Sequence, residues 1–373
     1  MKKPFIALIG ILITIGVFAM TSSTLYTLKQ PFTTSEGYGE AAWSTVPLRV
    51  SPKSIYRLTL QTASKNGGLL ALRYYDKHGF YIGDACEAIV AAAFTNGAIV
   101  DLANVEVITL FQPPAAAATV TIVIGSEDNS SMLLVNALRF ERITRREAKD
   151  IIAERTAPFP RPAIAPDQRA AVQKNLSRTM ARLAEDKPLS ILILGDSIAN
   201  DTFNGLFPLI LTGRYPDAKL AIHLSVRGGA SCRFYRQFNR TDQYVLRYNP
   251  DLVIIAGLSH GRDTDAIRDV IRQIHAKSHA EILFMTGPHD LFNSDIPGRR
   301  MSAAEQDEHE ARFKSDVRLL ADLASVATFD FTPVWQDYIA TLPDADETRI
   351  MRDNIHYNFD GKLLLATFLA DLL

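Results

Sequence analysis

Residues 188–373 constrain the fold most strongly, because short apolar runs alternate there with helical patterns. The runs are LSILIL, AKLAIHLSV, PDLVIIAG, AEILFMTG and VATFDF. They are continuous and rich in aliphatic residues, as is typical of strands that are buried on both faces. Segments such as DAIRDVIRQIHAK and AAEQDEHEARFKSDVRLLADLAS separate them and have helix-like charge and apolar spacing. The alternation predicts an α/β domain with a parallel sheet and helices on both faces.

Residues 31–143 show a different periodicity. Tyr56, Leu58 and Leu60 alternate with polar residues, which is the period of a half-buried strand. Breaks that contain Gly, Pro or Asn recur at short intervals, and no helical period is present. This pattern predicts an antiparallel β-sandwich.

Several stretches of this region resemble jelly-roll carbohydrate-binding modules. They are VSPKSIYRLTLQ, LRYYDKHGFYIG, FQPPAAAATVTIVIG and LLVNALRFERI. The resemblance implies an all-β jelly-roll domain that binds sugars through exposed aromatic side chains, for which Tyr74, Tyr75, Phe80 and Tyr81 are candidates. Alternatively, these aromatic residues belong to the core or to cross-strand pairs, and the domain only braces its neighbour.

The N-terminal segment, residues 1–30, has the features of an export signal. Lys2 and Lys3 precede the uncharged stretch Pro4–Met20, and a positive region before an apolar run is typical of exported proteins. The cleavage site is poor, and an extension through Leu28 gives the roughly 20 residues that span a bilayer. A cleaved signal peptide and a retained inner-membrane anchor both remain open. Either one predicts a periplasmic or envelope-associated protein.

Residues 144–187 are predicted to be a helical and proline-rich linker. ITRREAKDIIAERT is charged and helical in character, and APFPRPAIAP is extended. The formal net charge of the whole chain is −1, which predicts no nucleic-acid partner. The chain has neither metal-ligand spacing nor a phosphate-binding glycine loop, so we expect no metal and no cofactor.

Two short motifs carry the candidate chemistry. Gly195, Asp196 and Ser197 follow the first apolar run, at the strand end where parallel sheets open to ligands. A serine hydroxyl becomes a nucleophile when a base accepts its proton and an acid orients that base. Asp353 and His356 are three residues apart, so the carboxylate can reach Nδ1 and leave Nε2 facing the serine.

These motifs resemble the SGNH/GDSL hydrolase family. Gly-Asp-Ser is its first block, the glycine of VRGGAS (Gly229) its second, and DNIHYNFDG matches its last. The resemblance covers residues 188–373 and implies a flavodoxin-like three-layer α/β domain. It also implies that Ser197, His356 and Asp353 form a catalytic triad, and that the backbone N–H groups of Ser197 and Gly229 form part of an oxyanion hole.

This chain departs from the family pattern at the third block. The family has Gly-x-Asn, whereas this chain has Gly257, Leu258 and Ser259. Either Ser259 donates to the oxyanion, or His260 replaces it, or the backbone N–H groups suffice; we favour Ser259 assisted by its neighbours. A degenerate, non-catalytic member of the family is the remaining alternative.

The stretch VRGGASCRFYRQFNRTDQYVLR is rich in arginine. It is either a solvated basic loop or a seat for an anionic glycan, since guanidinium groups pair with carboxylates. We select Arg233, His260 and His289 as substrate-binding candidates. The function that the resemblance implies is an exported serine esterase that removes O-acetyl groups from a polysaccharide. The alternatives are an envelope polysaccharide O-acetyltransferase with the same triad, and a non-catalytic glycan-binding protein.

Overall fold

The computed structural model describes most of the chain. The residues described are 23–30, 32–34, 43–64, 68–89, 94–95, 98–99, 105–126, 133–257, 263–288, 319–320, 323, 325–353 and 355–373. The apolar segment Pro4–Met20 and the candidates Ser259, His260 and His289 lie outside these residues. Within the described ranges, no helix is both long enough and apolar enough to cross a membrane.

The N-terminal region consists of short and medium-length strands. In chain order they are β1 (Ser23–Thr27), β2 (Phe32–Thr34), β3 (Trp43–Ser44), β4 (Leu48–Arg49), β5 (Ile55–Ser64), β6 (Gly68–Tyr75), β7 (Tyr81–Ile89), β8 (Phe94–Thr95), β9 (Ala98–Ile99), β10 (Val105–Phe111), β11 (Thr119–Ser126) and β12 (Leu133–Ile143). One antiparallel sheet has the order β1-β12-β5-β10, with β2 also paired to β12. A second has the order β3-β11-β6-β7, with β4 also paired to β11. The prediction of an antiparallel β region before the α/β domain is confirmed.

The core of this region follows the alternation seen in the sequence. Tyr56, Leu58 and Leu60 are buried, and the ring of Tyr56 stacks on Phe111 and Phe140. Tyr74 is also fully buried, so the prediction of Tyr74 as an exposed sugar-binding residue is wrong. Burial of these rings supplies the apolar area that holds the two sheets together.

The first strand corrects a boundary. Ser23–Thr27 pairs antiparallel with β12, and the backbone N–H of Leu28 donates to the carbonyl of Leu138 at 2.9 Å. Ser23–Thr27 and Leu28 therefore belong to the first sheet. The sandwich begins by Ser23 rather than at residue 31.

The C-terminal region contains a five-stranded parallel sheet. Its strands are β13 (Leu189–Gly195), β14 (Leu220–Val226), β15 (Leu252–Ala256), β16 (Glu281–Met285) and β17 (Val326–Phe329), in the spatial order β14-β13-β15-β16-β17. Counted from β13, this order is 2-1-3-4-5, the order of doubly wound flavodoxin-like sheets. The predicted α/β fold with a parallel sheet is confirmed.

Ten α-helices and three 3₁₀ helices complete the described part of the chain. The α-helices are α1 (Arg145–Thr156), α2 (Pro166–Asn175), α3 (Ser177–Ala184), α4 (Ser197–Asn204), α5 (Phe207–Arg214), α6 (Cys232–Tyr235), α7 (Arg240–Tyr244), α8 (Thr264–His275), α9 (Phe331–Ile339) and α10 (Phe359–Leu372). The 3₁₀ helices are Leu246–Tyr248, Pro343–Ala345 and Glu347–Ile350.

Residues 144–187 are packed against the α/β domain. Thr144 and Glu147 form a reciprocal capping box at the start of α1. Beyond the prolines, Asp371 of α10 accepts hydrogen bonds from the Ile164 N–H and the Arg169 guanidinium, both at 3.0 Å. A segment held to the C-terminal helix in this way does not act as a free spacer.

The two regions share one hydrophobic core. Ile82 and Ile122 of the sandwich belong to the same buried cluster as Ile191 and Leu224 of the parallel sheet. Across the same interface, the backbone N–H of Ala115 donates to the carbonyl of Ile222 at 2.9 Å. Apolar contact and backbone hydrogen bonding therefore fix the sandwich on the α/β domain.

Candidate active site

Three loops leave the parallel sheet at the same edge. Gly195, the last residue of β13, is in register with Val226 of β14 and with Ala256 of β15. Because the strands are parallel, the residues that follow each of them meet at the carboxyl edge. Beside the first strand, where the strand order reverses, this edge is where open α/β sheets bind ligands.

Asp196 fixes the turn between β13 and α4. Its buried carboxylate accepts hydrogen bonds from the N–H groups of Ile198 at 2.9 Å and Ala199 at 3.4 Å, so it is the N-cap of α4. Gly257 approaches from β15 with φ +79°, and a Cβ there would lie 2.4 Å from the Asp196 Oδ1 atom. The packing of this turn places Ser197 at the first position of the helix.

The structure brings Ser197, His356 and Asp353 together. His356 Nε2 lies 2.8 Å from Ser197 Oγ, and His356 Nδ1 lies 2.8 Å from Asp353 Oδ2. Asp353 also accepts hydrogen bonds from the backbone N–H groups of Ile355 and His356, both at 2.8 Å. The three side chains form a continuous hydrogen-bonded chain from carboxylate to hydroxyl.

The hydrogen bonds to Asp353 determine its charge. Partial burial of its carboxyl raises the pKa, but the hydrogen bonds from the His356 ring and from the backbone of His356 and Ile355 outweigh burial. They hold the pKa of Asp353 well below its usual value. The carboxylate is therefore ionised at neutral pH, which favours a proton on Nδ1 and leaves Nε2 as the acceptor.

Two backbone N–H groups at this edge have no acceptor in the part of the chain that the structure describes. Within the described residues, the N–H groups of Ser197 and Gly229 make no hydrogen bond. Ser197 is the first residue of α4, where the N–H groups have no partner inside the helix. Gly229 is exposed and has φ +67°, a backbone conformation that favours glycine. Both N–H groups are available to a negatively charged oxygen.

Sequence reasoning missed Arg352, a buried cation behind Asp353. Its side chain is 8% exposed, and Nη1 donates to the carbonyl of Cys86 in β7 at 2.7 Å. Its Nε lies 3.6 Å from Asp353 Oδ2, and Nη1 lies 3.8 Å from Asp201 Oδ1 on α4. An arginine directly before Asp353 is visible in the sequence, but its contact with the sandwich is not.

The helix that begins at Ser197 is also held by the sandwich. Asn200 Nδ2 donates to Asp84 Oδ1 at 3.1 Å, and Asn204 Nδ2 donates to the Asp84 carbonyl at 2.7 Å. The hydroxyl of Tyr74 donates to Asn204 Oδ1 at 3.3 Å. Burial raises the pKa of Asp84. Strands β6 and β7 thus contact α4 directly, behind the serine.

Arg233, a substrate-binding candidate, is paired with a carboxylate of the α/β domain. Its Nε lies 2.5 Å from Asp263 Oδ2, and Asp263 in turn caps α8 by accepting from the Ala266 N–H. The Arg233 side chain is 69% exposed and lines a pocket together with Gly228 and Gly229. Within the described ranges, no group of three or more His, Cys, Asp or Glu side chains is arranged to hold a metal ion.

Comparison with known proteins gives weak structural likenesses. No protein-family model and no curated protein matches the chain. A two-domain esterase active on acetylated mannans, crystallised with mannopentaose, is similar with 16% identity and a TM-score of 0.41, over 54% of this chain and 52% of that chain. The chain therefore spans about half the length of that protein. Axe2, an acetylxylan esterase from Geobacillus stearothermophilus, is similar with 17% identity and a TM-score of 0.38, over 49% of this chain and 94% of that chain.

Proposed function

We propose that this protein is an SGNH-type serine esterase in which Ser197, His356 and Asp353 form the catalytic triad. One observation carries the proposal: the unbroken hydrogen-bonded chain from Asp353 through His356 to Ser197, with 2.8 Å at each step. Such a chain is what converts a serine hydroxyl into a nucleophile. The unpaired N–H groups of Ser197 and Gly229, at the same sheet edge, supply donors for the oxyanion.

The proposed reaction is acyl transfer in two steps. His356 Nε2 takes the proton of Ser197 as Oγ attacks the ester carbonyl, and the carbonyl oxygen becomes an oxyanion. The proton then passes from His356 to the departing alcohol as the ester C–O bond breaks and an acyl-serine remains. Water attacks this intermediate, His356 accepts its proton, and the acid leaves as Oγ regains a proton. Asp353 stays ionised throughout and stabilises the imidazolium that forms.

We propose an O-acetylated polysaccharide outside the cytoplasm as the substrate. The Lys-Lys and apolar segment at the N-terminus supports export, and the family resemblance of the motifs supports a carbohydrate ester. We propose water as the acyl acceptor; transfer to a second sugar hydroxyl by the same triad is the alternative. The His356 and Asp353 side chains are 25% and 42% exposed.

The test is acetate release from acetylated xylan and mannan oligosaccharides, combined with labelling by a fluorophosphonate that reacts with activated serines. We expect acetate release and one label on the intact protein. Ser197→Ala should abolish both, while Ser278→Ala, in the segment that follows α8, should keep both. Labelling that persists in Ser197→Ala, or a wild-type protein that neither reacts nor releases acetate, would refute the proposal.

The third oxyanion donor is proposed to be Ser259. If its hydroxyl donates in the transition state, Ser259→Ala lowers kcat by about 10- to 1000-fold on a small acetyl ester with little change in KM. If His260 carries this role instead, His260→Ala is the costly variant and Ser259→Ala is nearly silent. Unimpaired kcat in both variants would show that neither Ser259 nor His260 donates to the oxyanion.

A further inference from the structure

A cleft of about 450 Å³ lies between the sandwich and the α/β domain, apart from the triad residues. The sandwich contributes the hairpin that begins β7, and the α/β domain contributes the end of β14 and the segment around α7. The side chains that matter for its chemistry are Phe80, Tyr81, Arg227, Tyr244, Arg247 and Tyr248. Clefts of this size at domain interfaces are common ligand sites.

The charge of the cleft is positive. Arg227 and Arg247 line it, and none of its described lining residues is Asp or Glu. Within the described residues, Arg227 has no carboxylate partner; its Nη1 lies 3.4 Å from the hydroxyl of Tyr244, and its guanidinium lies 5.2 Å from the ring centroid of Phe234. Arg247 lies 3.9 Å from Asp76, and its guanidinium stacks on the ring of Tyr248. Contacts within the protein thus hold both guanidinium groups in place, and Arg227 and Arg247 are both exposed to solvent.

The other arginines of this basic stretch are already engaged. Arg233 pairs with Asp263 and Arg236 with Asp269. The Arg240 guanidinium lies over the ring of Phe234, 3.7 Å from its centroid. Arg227 and Arg247 are the arginines of this stretch that line the cleft, whereas Arg233 and Arg240 line the adjoining pocket.

The aromatic side chains of the cleft give it a second property. Phe80 is 61% exposed and Tyr81 is 47% exposed, although large aromatic rings are usually buried. Tyr244 and Tyr248 line the same cleft. Aromatic faces next to hydroxyl and guanidinium donors suit a ligand with flat apolar faces and many hydroxyl groups, such as a pyranose ring.

The cleft leads toward the candidate oxyanion loop. Arg227 lines both the cleft and an adjoining pocket of about 380 Å³ that contains Gly228 and Gly229. The backbone N–H of Arg227 donates to the carbonyl of Gly195, next to the turn that carries Ser197. A polymer lying in the cleft can therefore extend to the triad's edge of the sheet.

We infer that this cleft binds a carboxylate-bearing oligosaccharide, with uronic acid residues paired to Arg227 and Arg247 and sugar rings packed on Phe80 and Tyr81. This inference rests on the proposed function in one respect: the role of the cleft would be to hold an acidic glycan while an ester on that glycan reaches Ser197. Binding itself needs neither hydrolysis nor the triad.

The experiment measures binding by calorimetry to the full-length Ser197→Ala protein, which cannot consume the ligand. Hexagalacturonate is the probe, and maltohexaose is the neutral ligand of equal length. We expect tighter binding of hexagalacturonate, weakening as salt is raised. Arg247→Gln and Arg227→Gln should each weaken it by about tenfold or more, because each removes a charge-assisted pair. Arg146→Gln, which removes an exposed arginine from α1, is the matched control and should leave the affinity unchanged.

Equal affinity for the two hexasaccharides, or equal loss in Arg146→Gln and Arg247→Gln, would overturn the inference. Thermal unfolding of each variant verifies its fold, and Phe80→Ala provides a second cleft variant because that side chain is largely solvent-exposed. Failure of the proposed function would appear as absent ester hydrolysis with binding intact. Failure of this inference would appear as hydrolysis of small esters without preference for the acidic ligand.

Discussion

Replacing Ser197 with alanine is expected to lower kcat for ester hydrolysis by about 10⁴- to 10⁶-fold, because the attacking oxygen is lost and the remaining groups give only residual catalysis. The fold should be unaffected. Ser197 is the first residue of α4, and the cap of that helix is the neighbouring Asp196. Steady-state kinetics on p-nitrophenyl acetate, with thermal unfolding alongside, measures both quantities.

The companion variant His356→Ala tests whether the two residues act as one unit. Loss of the base should cost nearly as much as loss of the nucleophile, and the double variant should be no worse than either alone. Costs that simply multiply would show that the residues act independently, contradicting the triad. A folded Ser197→Ala protein with most of the wild-type activity would refute the nucleophile assignment.

The sequence was sufficient for the parallel sheet and for the position of the candidate triad because both depend on local rules. Continuous apolar runs identify strands buried on both faces, and residues that follow parallel strands meet at one edge. Asp353 and His356 are three residues apart, so their contact follows from chain geometry alone. The position of Ser197 could be predicted because it directly follows the end of the first strand of the parallel sheet.

The contacts that support these residues could not be predicted, because their partners are distant in the sequence. The bond from Arg352 to the carbonyl of Cys86 joins residues 266 positions apart, and the bond from Lys362 to Glu87 joins residues 275 apart. Neither periodicity nor residue type indicates such a pairing. Lys362 did carry a weak signal, since a lysine on an otherwise apolar C-terminal helix needs a partner if it is buried.

The same contacts change the interpretation of the sandwich. The family resemblance implied a sugar-binding module, with bracing as the alternative. In the structure, Asp84 holds the helix that begins at Ser197, and the Cys86 carbonyl accepts from Arg352, whose Nε lies 3.6 Å from Asp353. The sandwich therefore braces both halves of the candidate triad.

Lys362→Met is expected to destabilise the protein by about 3 to 5 kcal/mol, because it leaves a buried carboxylate without its cation. The Lys362 side chain is fully buried, and Nζ lies 2.7 Å from Glu87 Oε1, whose side chain is 7% exposed. Nζ also donates to the carbonyl of Cys86 and lies 3.9 Å from Asp201 Oδ1. Glu87→Gln should also destabilise the protein, because it removes the negative charge that compensates the buried ammonium group of Lys362. Calorimetric unfolding of the full-length protein measures the loss.

An exposed ion pair of equal length provides the control. Lys277 Nζ lies 2.7 Å from Asp242 Oδ1, with the side chains 50% and 43% exposed. Solvent already compensates these charges, so Lys277→Met should cost less than about 1 kcal/mol. The double variant Lys362→Met with Glu87→Gln should recover part of the lost stability, because it removes the buried cation and its buried carboxylate partner together and leaves neither uncompensated. Equal costs for Lys362→Met and Lys277→Met would show that the interdomain pair is solvated, and that the sandwich is not locked to the C-terminal helix by charge.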